Sequence, residues 1–152
     1  MMKLCAQNKR FGVIAAVLLL LTVLAAACSK QPRHPAPPVL GNDVVIDTAG
    51  LPLDTPRFYT LMVGNAPVSF FVVKHHDKVV SFLDACMNCY RRKMGYGFEK
   101  DHVVCRACGT TYSIYRLDKG IGGCYPIRIA GTMKEGTYTI PLSAVEKMAD
   151  KF

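Results

Sequence analysis

From residue 42 to the C-terminus the apolar residues come in short runs that are β-branched or aromatic and cut by Gly, Pro, Asp or Asn. They are NDVVID (42–47), RFYTLMV (57–63), PVSFFVVK (67–74), KVVSFL (78–83), HVVC (102–105), TTYSIY (110–115) and TYTIPL (137–142). Short strands with a turn signal every ~10 residues predict a mainly β domain, a small antiparallel sandwich or barrel. The runs 68–74 and 78–83 read as one hairpin with His75 and His76 at its tip, where a solvated turn competes with a metal-binding role. At the C-terminus Ser143 and Glu146 have the spacing of a capping box. Val145, Met148, Ala149 and Phe152 follow on one helical face, which predicts a short packing helix.

The N-terminus has a different pattern. Residues 1–10 carry Lys3, Lys9 and Arg10 without an acid, residues 11–24 are apolar, and Ala25-Ala26-Ala27 precedes Cys28. This is the layout of a secretory signal peptide. The alanines satisfy ordinary signal peptidase, while Leu24-Ala25-Ala26-Ala27-Cys28 resembles a bacterial lipoprotein box in which Cys28 becomes the lipidated residue. The box departs from the usual pattern, with Ala25 three before the Cys and Leu24 one step further back. An uncleaved anchor is a third reading, since the apolar run 11–27 stands at the lower limit for a bilayer span. The lipoprotein reading is preferred, giving a signal peptide at 1–27, a Pro-rich tether at 28–41 and a β-rich metal-binding domain at 42–152. All three readings put the domain outside the cytoplasm, at the cell envelope and facing the periplasm or exterior. The tether holds four prolines between residues 29 and 39, an extended composition with nothing to bury, and His34 within it reads as solvated.

Length and charge narrow the function. At 152 residues the chain holds one small domain plus its leader, which excludes a multidomain enzyme. The formal charge is +8, but three of the 19 basic residues and none of the 11 acids lie in residues 1–27, leaving +5. Nucleic acid is therefore not an expected partner. No Gly-rich phosphate loop and no Ser-His-Asp signature is present, so nucleotide chemistry and hydrolysis have no support, and no small-molecule substrate is identified.

The chemistry lies in the cysteines, five of which fall between residues 86 and 124. Cys86-Met87-Asn88-Cys89, then fifteen residues, then Cys105-Arg106-Ala107-Cys108 is a double CxxC at the spacing of a tetrathiolate metal site. Two residues between cysteines allow a tight turn with both sulfurs inward and the turn's N–H groups directed at them, and Gly109 permits the positive φ that closes such a knuckle. Arg91, Arg92, Lys93 and Arg106 either offset the charge of four thiolates or form a solvated face. Disulfides are the competing reading in an oxidising compartment, although a bridge inside CxxC is strained. Covalent c-type haem is excluded, because Tyr90 and Gly109 stand where a His is needed. Cys124 reads as a ligand, a neighbour at the edge of the site, or a core thiol. The preferred placement is the rim of the centre.

Residues 82–130 resemble the FtrD-like family of membrane-associated iron-sulfur proteins. The resemblance rests on Asp84-Ala85-Cys86, Cys89, Gly95-Tyr96, the valines before Cys105, Cys108-Gly109, Tyr112, and Gly122-Gly123-Cys124 with Pro126. Tyr125 and the run Arg91-Arg92-Lys93 depart from the family pattern without touching a candidate ligand. The resemblance implies an iron-sulfur cofactor and a place in iron uptake or membrane electron transfer. A more distant likeness in fold is to Rieske domains, with Cys89 and Cys108 where a Rieske centre has histidines. All-thiolate ligation lowers the potential of a 2Fe-2S centre. The expected protein is thus a Rieske-like β domain with two cysteine knuckles and a lipid on Cys28, carrying electrons for redox or iron-transport membrane proteins. Zinc, acquired after export of the unfolded chain, is the alternative cofactor and would make the domain a structural module. A dithiol oxidoreductase ranks last, because no βαβ pattern surrounds either pair.

Overall fold

A computed structural model describes residues 31–119 and 123–152, so the expected leader and Cys28 lie outside the described residues, as does Gly122. Among the described residues, eleven strands form three antiparallel sheets. The first contains β1 (Val39–Leu40), β2 (Asp43–Asp47), β10 (Thr132–Lys134) and β11 (Thr137–Pro141) in the order β1-β2-β11-β10. The second contains β3 (Arg57–Val63), β4 (Ala66–His75), β5 (Lys78–Cys86) and β9 (Pro126–Ile129) in the order β3-β4-β5-β9. The third is small, with β6 (Tyr96–Glu99), β7 (His102–Cys105) and β8 (Thr111–Ser113) in sequence order. The chain is therefore mainly β and antiparallel, with the expected 68–83 hairpin closed by His75 opposite Lys78.

The second sheet has a core on each face. Strand residues alternate between faces, and on β4 Val68, Phe70 and Val72 enter one core while Phe71 and Val73 enter the other. The first core packs these residues against Val44, Ile46, Tyr138 and Ile140 of the first sheet. The second packs Phe71, Val73 and Phe82 against Tyr96, Val103 and Tyr112 of the small sheet, with Cys86 and Cys105 in the same cluster. Each buried aromatic or aliphatic side chain contributes roughly 1.5–3 kcal/mol from the area removed from water. The cysteine loops are thus fixed to the domain by a core that Cys86 and Cys105 themselves help to fill.

Two local expectations differ from the structure. The short helix α1 (Leu142–Glu146) forms and buries Val145, but Pro141 is its N-cap and no side chain caps it. Strand β11 runs to Pro141, and the Leu142 amide donates to the Asn42 carbonyl at 2.8 Å, so Ser143 already lies inside the helix and the capping box does not form. Residues 31–40, expected as a tether with nothing to bury, run along the domain. The Thr60 amide donates to the Pro35 carbonyl at 3.1 Å, Pro37 is buried, and β1 pairs with β2. A proline-rich segment needs few partners for its own amides, which suits it to lie at a sheet edge.

Candidate metal centre

The first cysteine loop leaves the end of β5, turns through a 3-10 turn at Tyr90–Arg92 and returns as β6. The second is the turn between β7 and β8. The two turns close differently, the Cys89 amide donating to the Cys86 carbonyl three residues back at 3.0 Å and the Gly109 amide to the Cys105 carbonyl four residues back at 2.8 Å, but they aim amides at sulfur in the same way. The Cys86 sulfur accepts from the amides of Asn88 and Cys89, and the Cys105 sulfur from those of Ala107 and Cys108. Gly109 has φ +73°, the left-handed conformation that closes the second turn and that a side chain would strain. Arg92 joins the two loops by donating from Nη1 to the Ala107 carbonyl at 2.9 Å.

The sulfur atoms of Cys86, Cys89 and Cys105 lie within 4.8 Å of one another. Among the described residues this is the group of His, Cys, Asp or Glu placed to share a metal ion. Cys108, the fourth expected ligand, is exposed, with its sulfur 3.2 Å from the Thr110 hydroxyl, and lies outside the group of three. Cys124 stands outside the group on a loop that returns beside the first knuckle. The Met87 amide donates to the Tyr125 carbonyl at 3.1 Å, and Asn88 Nδ2 donates to the Cys124 sulfur at 3.6 Å. Among the described residues the five cysteines form no disulfide.

The electrostatics of the group suit a cation. Burial pushes the Cys86 thiol up, but the amides of Asn88 and Cys89 and the Tyr112 hydroxyl favour its thiolate and bring it below the usual range. The Thr110 hydroxyl and amide lower Cys108 to about 7. Burial, followed by the hydrogen bond with Cys108, raises Cys89 to about 12, and burial raises Cys105 to about 11. Four adjacent thiols cannot all ionise against their mutual repulsion, and a divalent cation replaces the protons that they would otherwise keep. The donor set therefore fits a thiolate-bound metal. Burial raises the Tyr96 and Tyr112 phenols, so both stay protonated, and the Tyr112 hydroxyl lies 3.9 Å from the Cys86 sulfur.

Several residues that support the site carry no such role in the sequence reading. Asp84 is fully buried and accepts from the Tyr96 amide at 2.5 Å and from Gln31 Nε2 at 2.8 Å. Gly95 has φ +65°, and a Cβ there would lie 2.6 Å from Asp84 Oδ2. His34, expected to be solvated, stacks on Phe58 with ring centroids 4.9 Å apart and approaches Asp84 Oδ2 at 3.7 Å. His75 and His76 join no ligand group. His75 Nδ1 lies 2.7 Å from Asp54 Oδ1, and His76 is an exposed turn residue at φ +47°.

No curated protein and no solved structure matches the chain. No described helix is long and apolar enough to cross a membrane. The model of the family described as membrane iron-sulfur containing protein, FtrD-like, matches residues 54–152, and with that match over the domain holding the cysteine group the chain belongs to the FtrD-like family.

Proposed function

We propose that this protein is an exported electron carrier of the cell envelope, attached to the membrane by a lipid on Cys28 and facing the periplasm or exterior. Its iron-sulfur centre would be held by Cys86, Cys89, Cys105 and Cys108, and its partners would be membrane proteins of a redox or iron-uptake system. The observation that carries the reading is the convergence of three thiols, within 4.8 Å, from two loops with the same N–H···S pattern in a chain of an iron-sulfur family. When bound, such a centre supplies one-electron chemistry at a potential set by its ligands and their surroundings. The chain's own residues perform the rest. Loop amides and the Tyr112 hydroxyl hold negative charge on sulfur, the core around Tyr96 and Tyr112 keeps water from Cys86, and exposed Cys108 forms the edge nearest a partner. Thiolates at Cys89 and Cys108, in place of the histidines of a Rieske-like site, favour a low potential.

A single tetrathiolate ion, zinc above all, is the second reading. Its support is distance, since metal–sulfur bonds of about 2.3 Å place tetrahedral sulfurs ~3.8 Å apart, a span close to that of the three thiols. One experiment separates the two readings: metal and acid-labile sulfide analysis with an absorption spectrum on protein purified without oxygen. Iron, sulfide and visible colour support the electron carrier. One zinc in colourless protein supports the structural module and refutes electron transfer.

A further inference from the structure

The first cysteine loop carries Arg91, Arg92 and Lys93 without an acid, and the second carries Arg106 without one; all four are exposed. Among the described residues none of the four has an acidic partner, since the ion pairs join other residues. Of the neighbouring acids, Asp84 is fully buried with its oxygens facing the Tyr96 amide and Gln31, Glu99 and Asp101 lie at the turn end of the β6–β7 hairpin, away from the Tyr96–Cys105 end, and Asp150 pairs with Lys151. The face therefore presents uncompensated positive charge. Two large apolar side chains flank it, Met87 at 40% exposure and Tyr125 at 37%, on adjacent strands of loop joined by the Met87–Tyr125 backbone hydrogen bond. Basic residues beside an exposed Tyr are the composition that settles at the headgroup level of a bilayer.

The position of Gln31 identifies the occupant. The Gln31 amide donates to the Lys93 carbonyl at 3.0 Å and its side chain donates to Asp84, so the proposed lipid-bearing Cys28 is three residues from a point fixed on this same loop. We infer that the basic face formed by Arg91, Arg92, Lys93 and Arg106 docks on anionic lipid headgroups, which presents the cysteine loops to the membrane surface. This rests on the membrane attachment proposed above and is independent of which metal the thiols hold.

The test is hydrogen exchange, read by mass spectrometry, on the full chain in lipid nanodiscs of phosphatidylcholine alone or mixed with phosphatidylglycerol. Amides of residues 87–94 and 106–109 exchange more slowly in the anionic discs, the turn at Glu135-Gly136 is unchanged, and added salt reverses the slowing. Each basic residue near an anionic surface is worth roughly a five-fold change in occupancy, so Arg91→Gln combined with Lys93→Gln loses most of the effect while metal content stays the same. Discs that hold the chain with equal exchange in both lipids overturn the docking while leaving attachment intact. Slowing of the loops by soluble polyglutamate but not by anionic lipid overturns it in favour of an acidic protein partner. A chain recovered free of the discs refutes the attachment and the docking together.

Discussion

The Tyr96 amide donates to the Asp84 carboxyl at 2.5 Å, joining the residue two before Cys86 to the first residue of β6. This bond closes the first cysteine loop at its base, and Gln31 holds the other carboxyl oxygen. Asp84→Asn turns one of these two faces into a donor meeting a donor, because the side-chain amide carries one acceptor where the carboxyl has two. An unsatisfied buried polar group costs roughly 1–3 kcal/mol. The urea midpoint is therefore expected to fall by a corresponding amount, with the metal bound less tightly; an unchanged midpoint would show that the loop is held by other contacts.

The cysteines separate into two classes under substitution. Cys86→Ser, Cys89→Ser, Cys105→Ser and Cys108→Ser are each expected to lose the metal, and with it folding free energy on the order of 10 kcal/mol for a structural zinc site. Cys124→Ala is expected to retain a full complement, with a shifted spectrum, because Cys124 touches the first knuckle through Asn88 from outside the sulfur group. Metal analysis of the five variants checks this, and loss of metal in Cys124→Ala would make it a ligand.

Metal removal should loosen one layer of the fold. Cys86 and Cys105 are members of the core that joins the small sheet to the second sheet, whereas the core against the first sheet contains no cysteine among its buried residues. In chelator-treated protein, amide exchange in β6, β7 and β8 is expected to quicken by about ten-fold or more, while β2 and β11 keep their protection. Equal loss in all three sheets would indicate a single cooperative unit.

Lipid attachment has its own variant. Cys28→Ala is expected to move the chain from the membrane to the soluble fraction and to remove the mass of the acyl chains. A variant that stays with the membrane at the wild-type mass would mean that the apolar leader itself is the anchor.

Much of the fold is written locally. RFYTLMV coincides with β3, Arg57–Val63, because its β-branched and aromatic residues suit a pleated strand whatever the neighbours are. The same holds for the 68–83 hairpin and for Val145, buried on the C-terminal helix, whereas Met148, Ala149 and Phe152, expected on the same helical face, pack against the first core from beyond the helix's end at Glu146. The cysteine pairs were legible for the same reason, since the geometry of a knuckle is confined to a few residues. Strand β6 was hidden, because Gly97 and the turn at Lys100-Asp101 make a four-residue strand resemble a loop.

The sequence by itself determined a β domain, a double CxxC and the family pattern around it. Only the tertiary structure decided what surrounds the thiols. Asp84 and Gln31 meet across 53 residues of sequence, and Tyr112 reaches Cys86 across 26. No local periodicity encodes such meetings, because they follow from how three sheets stack and which face of β5 receives Cys86. His34 and the Pro-rich segment illustrate the same limit: their composition describes a chain with nothing of its own to bury, while the groove that receives them is built by Phe58, Thr60 and Asp84. Burial depends on the partner surface, and that surface exists only once the distant parts of the chain have packed together.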